Sequence, residues 1–320
     1  MKKIVIIEPG YLDYQEEERV LAKYKPKFII VSLGSNKTEI LKAVEDVDAI
    51  MVREAKIDAD VIRAAKQCKV IARYGVGVDN VDLATAKENG IYVANVPDYG
   101  SEDVAEHAVA LLFATTRRIV KRDRDVRLNS KWGIGQLEPM YRMGGKVLGI
   151  VGFGRIAREF FRKTKGIGFS RTLVSDPLLT EREAQQLGIE KVEIDALCQQ
   201  ADFISLHTPL LPQTHHLINA DRLALMKPNT VIVNCGRGGL IDEQALYSAL
   251  NEERIFAAGI DTFEQEPVSA TNPLLTLDNV ICSDHTAWYT TESVIELQHK
   301  AAEEVLRVFE GEQPKNWVNK

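Results

Sequence analysis

The sequence predicts an α/β fold in two domains, on three observations. At 320 residues the chain exceeds a single core, since a domain averages about 150 residues. Short β-rich runs alternate with helix-length amphipathic segments almost from end to end, the pattern of parallel sheets wound with helices. A long Ala- and Leu-rich stretch near residue 100 separates one series of strand candidates from a second.

The first series comprises Lys3 to Ile7, Phe28 to Val31, Ala49 to Val52, Val70 to Ala72 and Ile91 to Ala94, with helical segments such as Ala59 to Lys66 between them. Ser101 to Arg118 opens on Ser-Glu-Asp, a helix-capping signal, and its position suggests a helix that crosses between domains. The mixed charges of Lys121 to Arg127 continue this helix as a solvated face. The second series is Val147 to Val151, Thr172 to Ser175, Phe203 to Leu206, Val231 to Val233, Ala257 to Ile260 and Val280 to Cys282. Six strands of this kind suit a dinucleotide-binding sheet. A last helix, Glu292 to Glu310, carries Val294, Leu297, Ala301, Val305 and Val308 at helical spacing and is expected to pack back on the first domain.

Composition excludes several classes. Forty Lys and Arg against 46 Asp and Glu give a net charge of -6, the wrong sign for a nucleic-acid binder. No apolar run approaches the roughly 20 residues of a membrane span. Met1 leads straight into a short strand with no leader-like apolar region, so the expected location is cytoplasmic. Cys68, Cys198, Cys235 and Cys282 form no C-x-x-C pair, which argues against a metal knuckle or a redox dithiol. Cys235, beside an Arg in a glycine-rich turn, reads best as a small apolar filler.

Gly152-Phe153-Gly154-Arg155-Ile156-Ala157 lies between a strand and a helical segment, Ile156 to Lys165. Such a turn brings backbone close to a pyrophosphate and aims helix N–H groups at it. Asp176 follows 19 residues after Ala157, at the end of the next strand. A carboxylate there would accept both ribose hydroxyls and repel a 2'-phosphate, which favours NAD over NADP.

Reduction of a carbonyl beside a carboxylate needs a cation, a proton donor and a group that keeps the donor charged. Arg237, in Asn234-Cys235-Gly236-Arg237-Gly-Gly, emerges beyond a buried strand, and its planar fork suits a carboxylate. Glu266 and His285 stand in loops after strand-like segments. Among the other histidines, His107 and His299 fall in helices and His215 and His216 in a polar loop, whereas His207 also ends a strand. The residues alone leave His207 and His285 even.

In order, Arg73-Tyr-Gly-Val76-Gly77-Val-Asp-Asn80, the Gly152 turn, Leu206-His207-Thr208-Pro209-Leu210, Val233 to Gly239, Asp261 to Pro267 and His285 resemble the D-isomer-specific 2-hydroxyacid dehydrogenase family over essentially the whole chain. Within it, His285-Thr-Ala-Trp288-Tyr and the ending Asn316 to Lys320 resemble most the C-terminal-binding protein branch, whose members add transcriptional corepression. The resemblance implies a flavodoxin-like substrate domain (1–98 plus 292–320), an inserted Rossmann NAD-binding domain (99–291) and an active site in the cleft between them. It implies His285 as acid/base, Glu266 as its partner and Arg237 as carboxylate anchor. By the same likeness Arg73 and the backbone of Val76 and Gly77 help hold the carboxylate, and Trp288 lines the pocket for the substrate side chain. Val104, Phe153, Arg155, Ile156, His207, Thr208, Pro209, Thr214, Cys235, Gly236 and Asp261 would then line the NAD site, with Asp261 near the nicotinamide amide. The implied partners are a small 2-oxo or 2-hydroxy acid and a second copy of the chain, joined through the NAD-binding domains. The alternative reading is an NADH-sensing, partner-binding protein with weak catalysis.

Overall fold

The computed structural model describes residues 1–7, 10–32, 34–133 and 139–320. The chain divides into two compact units, Met1–Gly100 with Tyr289–Lys320, and Ser101–Trp288. These bounds fall at 100 and 289, against the expected 98 and 292.

The smaller unit begins β1 (Lys3–Ile7), α1 (Gln15–Leu21), β2 (Lys27–Val31), α2 (Lys37–Val44) and β3 (Ala49–Val52). It continues with α3 (Ala59–Ala64), β4 (Val70–Arg73), α4 (Leu83–Glu88) and β5 (Tyr92–Ala94). Its sheet is parallel in the order β2-β1-β3-β4-β5, the flavodoxin-like arrangement. Ile4 to Ile7 and Ala49 to Val52 are fully buried, as a strand covered on both faces must be.

The larger unit opens with α5 (Ser101–Thr116) and α6 (Ile119–Asn129). The expected single helix is broken between them, because Arg118 adopts a left-handed conformation at φ +50° that an α-helix cannot contain. There follow β6 (Val147–Val151), α7 (Arg155–Thr164), β7 (Arg171–Ser175), α8 (Glu181–Leu187) and β8 (Glu190–Lys191). Next come α9 (Ile194–Gln200), β9 (Phe203–Leu206), α10 (Ala220–Leu225), β10 (Val231–Asn234) and α11 (Glu243–Asn251). β11 (Ala257–Ile260) and β12 (Val280–Cys282) complete the unit, and α12 (Thr291–Phe309) returns the chain to the smaller one.

The seven-stranded sheet runs β12-β11-β10-β9-β6-β7-β8, all parallel. The unit's first strand, β6, lies inside the sheet between β9 and β7, so strand order reverses between β6 and β9. In open α/β sheets ligands bind beyond the carboxyl ends of the strands at such a reversal. The sheet has one strand more than expected: β8 is two polar residues at an edge and carries no apolar signal. Alternation along the strands splits the core by face, with Leu148, Ile150, Val231 and Val233 in one cluster and Val151, Ile204, Ile232 and Ala258 in the other.

In the smaller unit α12 packs on α1 and β4 and buries Leu297, Ala301, Ala302 and Val305 completely. After it, Val318 N donates to Val93 O at 2.9 Å, and the Asn319 amide accepts from Val93 N and donates to Ile91 O. The terminal segment thereby covers the free edge of β5, which would otherwise offer unpaired backbone groups. No helix among the described residues is long and apolar enough to cross a membrane.

Candidate active site

The glycine turn follows β6 at the strand-order reversal. Gly152 has φ +79°, and a Cβ there would lie 2.8 Å from the backbone N of Thr208 in the loop after β9. Both the conformation and the close approach demand glycine. Gly154 differs: its φ is -75°, ordinary for any residue, and a Cβ there would meet nothing within 4 Å. It caps the ten-residue helix α7 with no side-chain hydrogen bond of its own, at the positive end of the helix. The open space beside Gly154 at a positive helix end fits the pyrophosphate of a dinucleotide.

Asp176, just past β7, holds this turn. Its Oδ2 accepts from Phe153 N at 2.6 Å and its Oδ1 from Leu178 N at 2.6 Å and Leu179 N at 3.2 Å. Three of roughly four carboxylate acceptor positions are thus filled by main chain.

In the loop after β9, Thr214 donates from Oγ1 to Pro209 O and accepts from Leu211 N, both at 2.7 Å, and so closes the loop that carries Thr208. His207 pairs with Ser205 Oγ at 2.9 Å and packs on Phe160. Burial pulls its imidazole down to about 3, so it is neutral near pH 7. Val104 and Cys235, each 8% exposed, belong to the apolar core on the α5 face. Burial pushes the Cys235 thiol well up, with Asp261 adding to it; the exposed cysteine is Cys282.

Arg237 follows β10 on a turn braced by buried Asn234, whose amide accepts from Gly236 N at 3.0 Å and donates to Arg237 O at 2.9 Å. Glu266 Oε1 accepts from Phe263 N at 2.9 Å, and Oε2 lies 2.7 Å from His285 Nδ1. The Glu266 carboxyl sits below the usual carboxylate range: burial alone would raise it, but the His285 hydrogen bond and charge, with Arg237 adding, outweigh burial. An ionised carboxylate only accepts, so Nδ1 carries a proton and Nε2 is left as the end that gives or takes one.

His285 has φ +57°, which costs a residue with a Cβ about 1–2 kcal/mol. Asp261, fully buried at the end of β11, offsets this. Its carbonyl accepts from His285 N at 2.8 Å, while its carboxylate accepts from Thr286 N, Ala287 N and Ser283 Oγ at 3.1, 3.2 and 2.6 Å. Trp288 Nε1 donates to His285 O at 3.0 Å. His107 on α5, placed by its sequence only as a helix residue, stands 2.9 Å from Ser283 Oγ through Nε2. No periodicity or motif links positions 176 residues apart.

The smaller unit holds the remaining candidates. Arg73 ends β4 with its side chain 13% exposed and Nη2 3.4 Å from Glu54 Oε1. Val76 is exposed, its carbonyl accepts from Asn95 Nδ2 at 2.6 Å, and among the described residues nothing takes the N–H of Val76 or Gly77. No group of three or more His, Cys, Asp or Glu among the described residues could hold a metal ion.

Residues 109–287 match the family described as D-isomer specific 2-hydroxyacid dehydrogenase, NAD binding domain. The chain belongs to the D-isomer-specific 2-hydroxyacid dehydrogenase family. It is 40% identical to the glyoxylate reductase of Korarchaeum cryptofilum over 89% of this chain and 86% of that one. It is also 40% identical to the D-3-phosphoglycerate dehydrogenase of Methanocaldococcus jannaschii, over its whole length but only 60% of that longer protein. The apo D-lactate dehydrogenase of Escherichia coli superposes with a TM-score of 0.87 at 30% identity, covering 99% of each chain. These comparisons reach the dehydrogenase family and its NAD-binding domain, not the C-terminal-binding protein branch.

Proposed function

We propose that this chain is an NAD-dependent oxidoreductase that interconverts a 2-oxo acid and the corresponding D-2-hydroxy acid. The observation that carries the reading is the His285–Glu266 pair: a doubly anchored carboxylate holds Nδ1 and leaves Nε2 to the substrate, with Arg237 near enough to bias the same carboxyl. A protein that only sensed NADH would have no use for an acid/base pair.

In this mechanism Arg237, whose planar fork matches a carboxylate, binds the carboxylate of the substrate. Protonated His285 donates from Nε2 to the carbonyl oxygen as negative charge develops there, and Glu266 stabilises the imidazolium before that transfer. The Gly152–Ile156 turn, Asp176, the 207–214 loop, Cys235, Gly236 and Asp261 would hold NADH, whose chemistry when bound would be hydride donation. Asp176 supports a preference for NADH over NADPH, because a 2'-phosphate would face a carboxylate. Trp288 shapes the side-chain pocket, and its bulk favours groups larger than a methyl. A homodimer through the larger unit is supported by α6, which exposes Ile119, Val120, Val126 and Leu128 by about half or more, an apolar surface of the kind that marks protein contacts.

The test is oxidation of NADH, with NADPH in parallel, against glyoxylate, pyruvate, hydroxypyruvate and phenylpyruvate, and the reverse reaction with 3-phosphoglycerate. Turnover should fall by about 10²- to 10⁴-fold in His285→Ala. Undiminished turnover in that variant would overturn its role, and tight NADH binding without turnover on any acid would favour a sensing protein.

A further inference from the structure

We infer that His107 is a positioning residue for the acid/base, acting through Ser283 and Asp261 on the backbone that carries His285. The inference rests on His285 being the acid/base and adds a residue outside that pair.

The proton count orients the chain of bonds. Asp261, as a carboxylate, only accepts, and the 2.6 Å contact with Ser283 Oγ therefore consumes the single hydroxyl proton. Ser283 Oγ is then an acceptor toward His107, so the 2.9 Å contact is a bond donated by His107 Nε2–H. His107 Nε2 is also 3.6 Å from Asp261 Oδ1, so both oxygens lie on the donor's side of the ring. α5, a sixteen-residue helix packed on β10 and β11, thus fixes the hydroxyl that fixes Asp261.

Asp261 in turn holds the left-handed turn at His285, through His285 N to its carbonyl and through Thr286 N and Ala287 N to its carboxylate. A strained backbone persists only when its surroundings over-determine it. Without the His107 bond Ser283 can rotate away from Asp261, one restraint on the 283–287 loop is lost, and the imidazole drifts from the position Glu266 sets. A misplacement of about 1 Å can cost about 10²-fold in rate. His107 is one-quarter exposed at its side chain and is not bonded to Arg237, so the substrate anchor is untouched.

The experiment compares wild type, His107→Ala, His107→Gln, Ser283→Ala and the double variant His107→Ala with Ser283→Ala. Gln keeps an N–H near the place of Nε2. The expected result is a kcat about 10- to 100-fold lower in His107→Ala and Ser283→Ala, an unchanged KM for the oxo acid, near wild-type kcat in His107→Gln, and a double variant no worse than either single. A near wild-type kcat in His107→Ala, a change confined to KM, or additive losses would each overturn the inference. Ser283→Ala, which removes one oxygen, carries the test if His107→Ala fails to fold. Histidine-labelled NMR supplies a readout independent of turnover: the His285 ring signal should move in the Ala variants and stay in His107→Gln. Identical His285 spectra in all of them would overturn the inference, whereas a wild type inactive on every oxo acid would overturn the proposed reaction alone.

Discussion

Glu17 is a fully buried carboxyl on α1, with Oε1 accepting from Tyr74 Oη at 2.7 Å and Oε2 from Gln298 Nε2 at 3.1 Å. Burial raises it above the ordinary carboxylate range, and the two side-chain hydrogen bonds only partly offset this. An acid raised in the folded state keeps its proton where the unfolded chain has lost it. Its contribution to stability is therefore complete below about pH 4.3 and declines as pH rises through the raised value. Glu17→Gln removes that titration, so in thermal melts from pH 5 to pH 8 the difference in Tm should move in the variant's favour as pH rises. Each 1 kcal/mol should appear as about 2–4 °C, and parallel curves for the two proteins would refute the assignment. Candidates that follow a strand were legible: Arg237, Glu266 and His285 were marked by that place, but so was His207, and only the family resemblance separated the two histidines. Residues whose role depends on a distant partner were not. His107 reads as one more position on a helix, and Asp176 gave no sign that Phe153 N, 23 positions away, would donate to its Oδ2.

The glycine turn separates two demands within one element. At Gly152 the fold itself needs glycine, so Gly152→Ala should lower stability by about 1–3 kcal/mol. At Gly154 the fold has no such need, since backbone and space would both admit a Cβ. Gly154→Ala should leave stability within about 1 kcal/mol and weaken NADH binding at least about tenfold, as isothermal titration would show; unimpaired binding would remove the cofactor from that face. Strands were the most readable elements, because a strand buried on both faces is a continuous apolar run. β8 was invisible for the opposite reason, being polar and at an edge. The break at Arg118 carries no Gly or Pro, so the helical pattern runs through it unmarked, and only the backbone reveals where α5 stops.

The larger unit is one uninterrupted stretch of chain and the smaller is not. Residues 101–288 expressed alone should fold cooperatively and bind NADH without turning over an oxo acid, whereas residues 1–100 alone should lack a stable core. The circular dichroism melt of each fragment checks this, and a cooperative transition for 1–100 would show that α12 is dispensable. The reason lies in what α12 contributes: a full burial of Leu or Val is worth about 1.5–3 kcal/mol, and Leu297 and Val305 are both fully buried in the smaller unit, while Gln298 reaches Glu17 across 281 positions of sequence. On the ribosome this sets an order of events. Translation at about 5–20 residues per second puts roughly 10–40 s between the emergence of β5 and that of α12, and during that interval the first hundred residues wait without the helix that packs on α1 and β4. A nascent chain of this protein thus completes its beginning last.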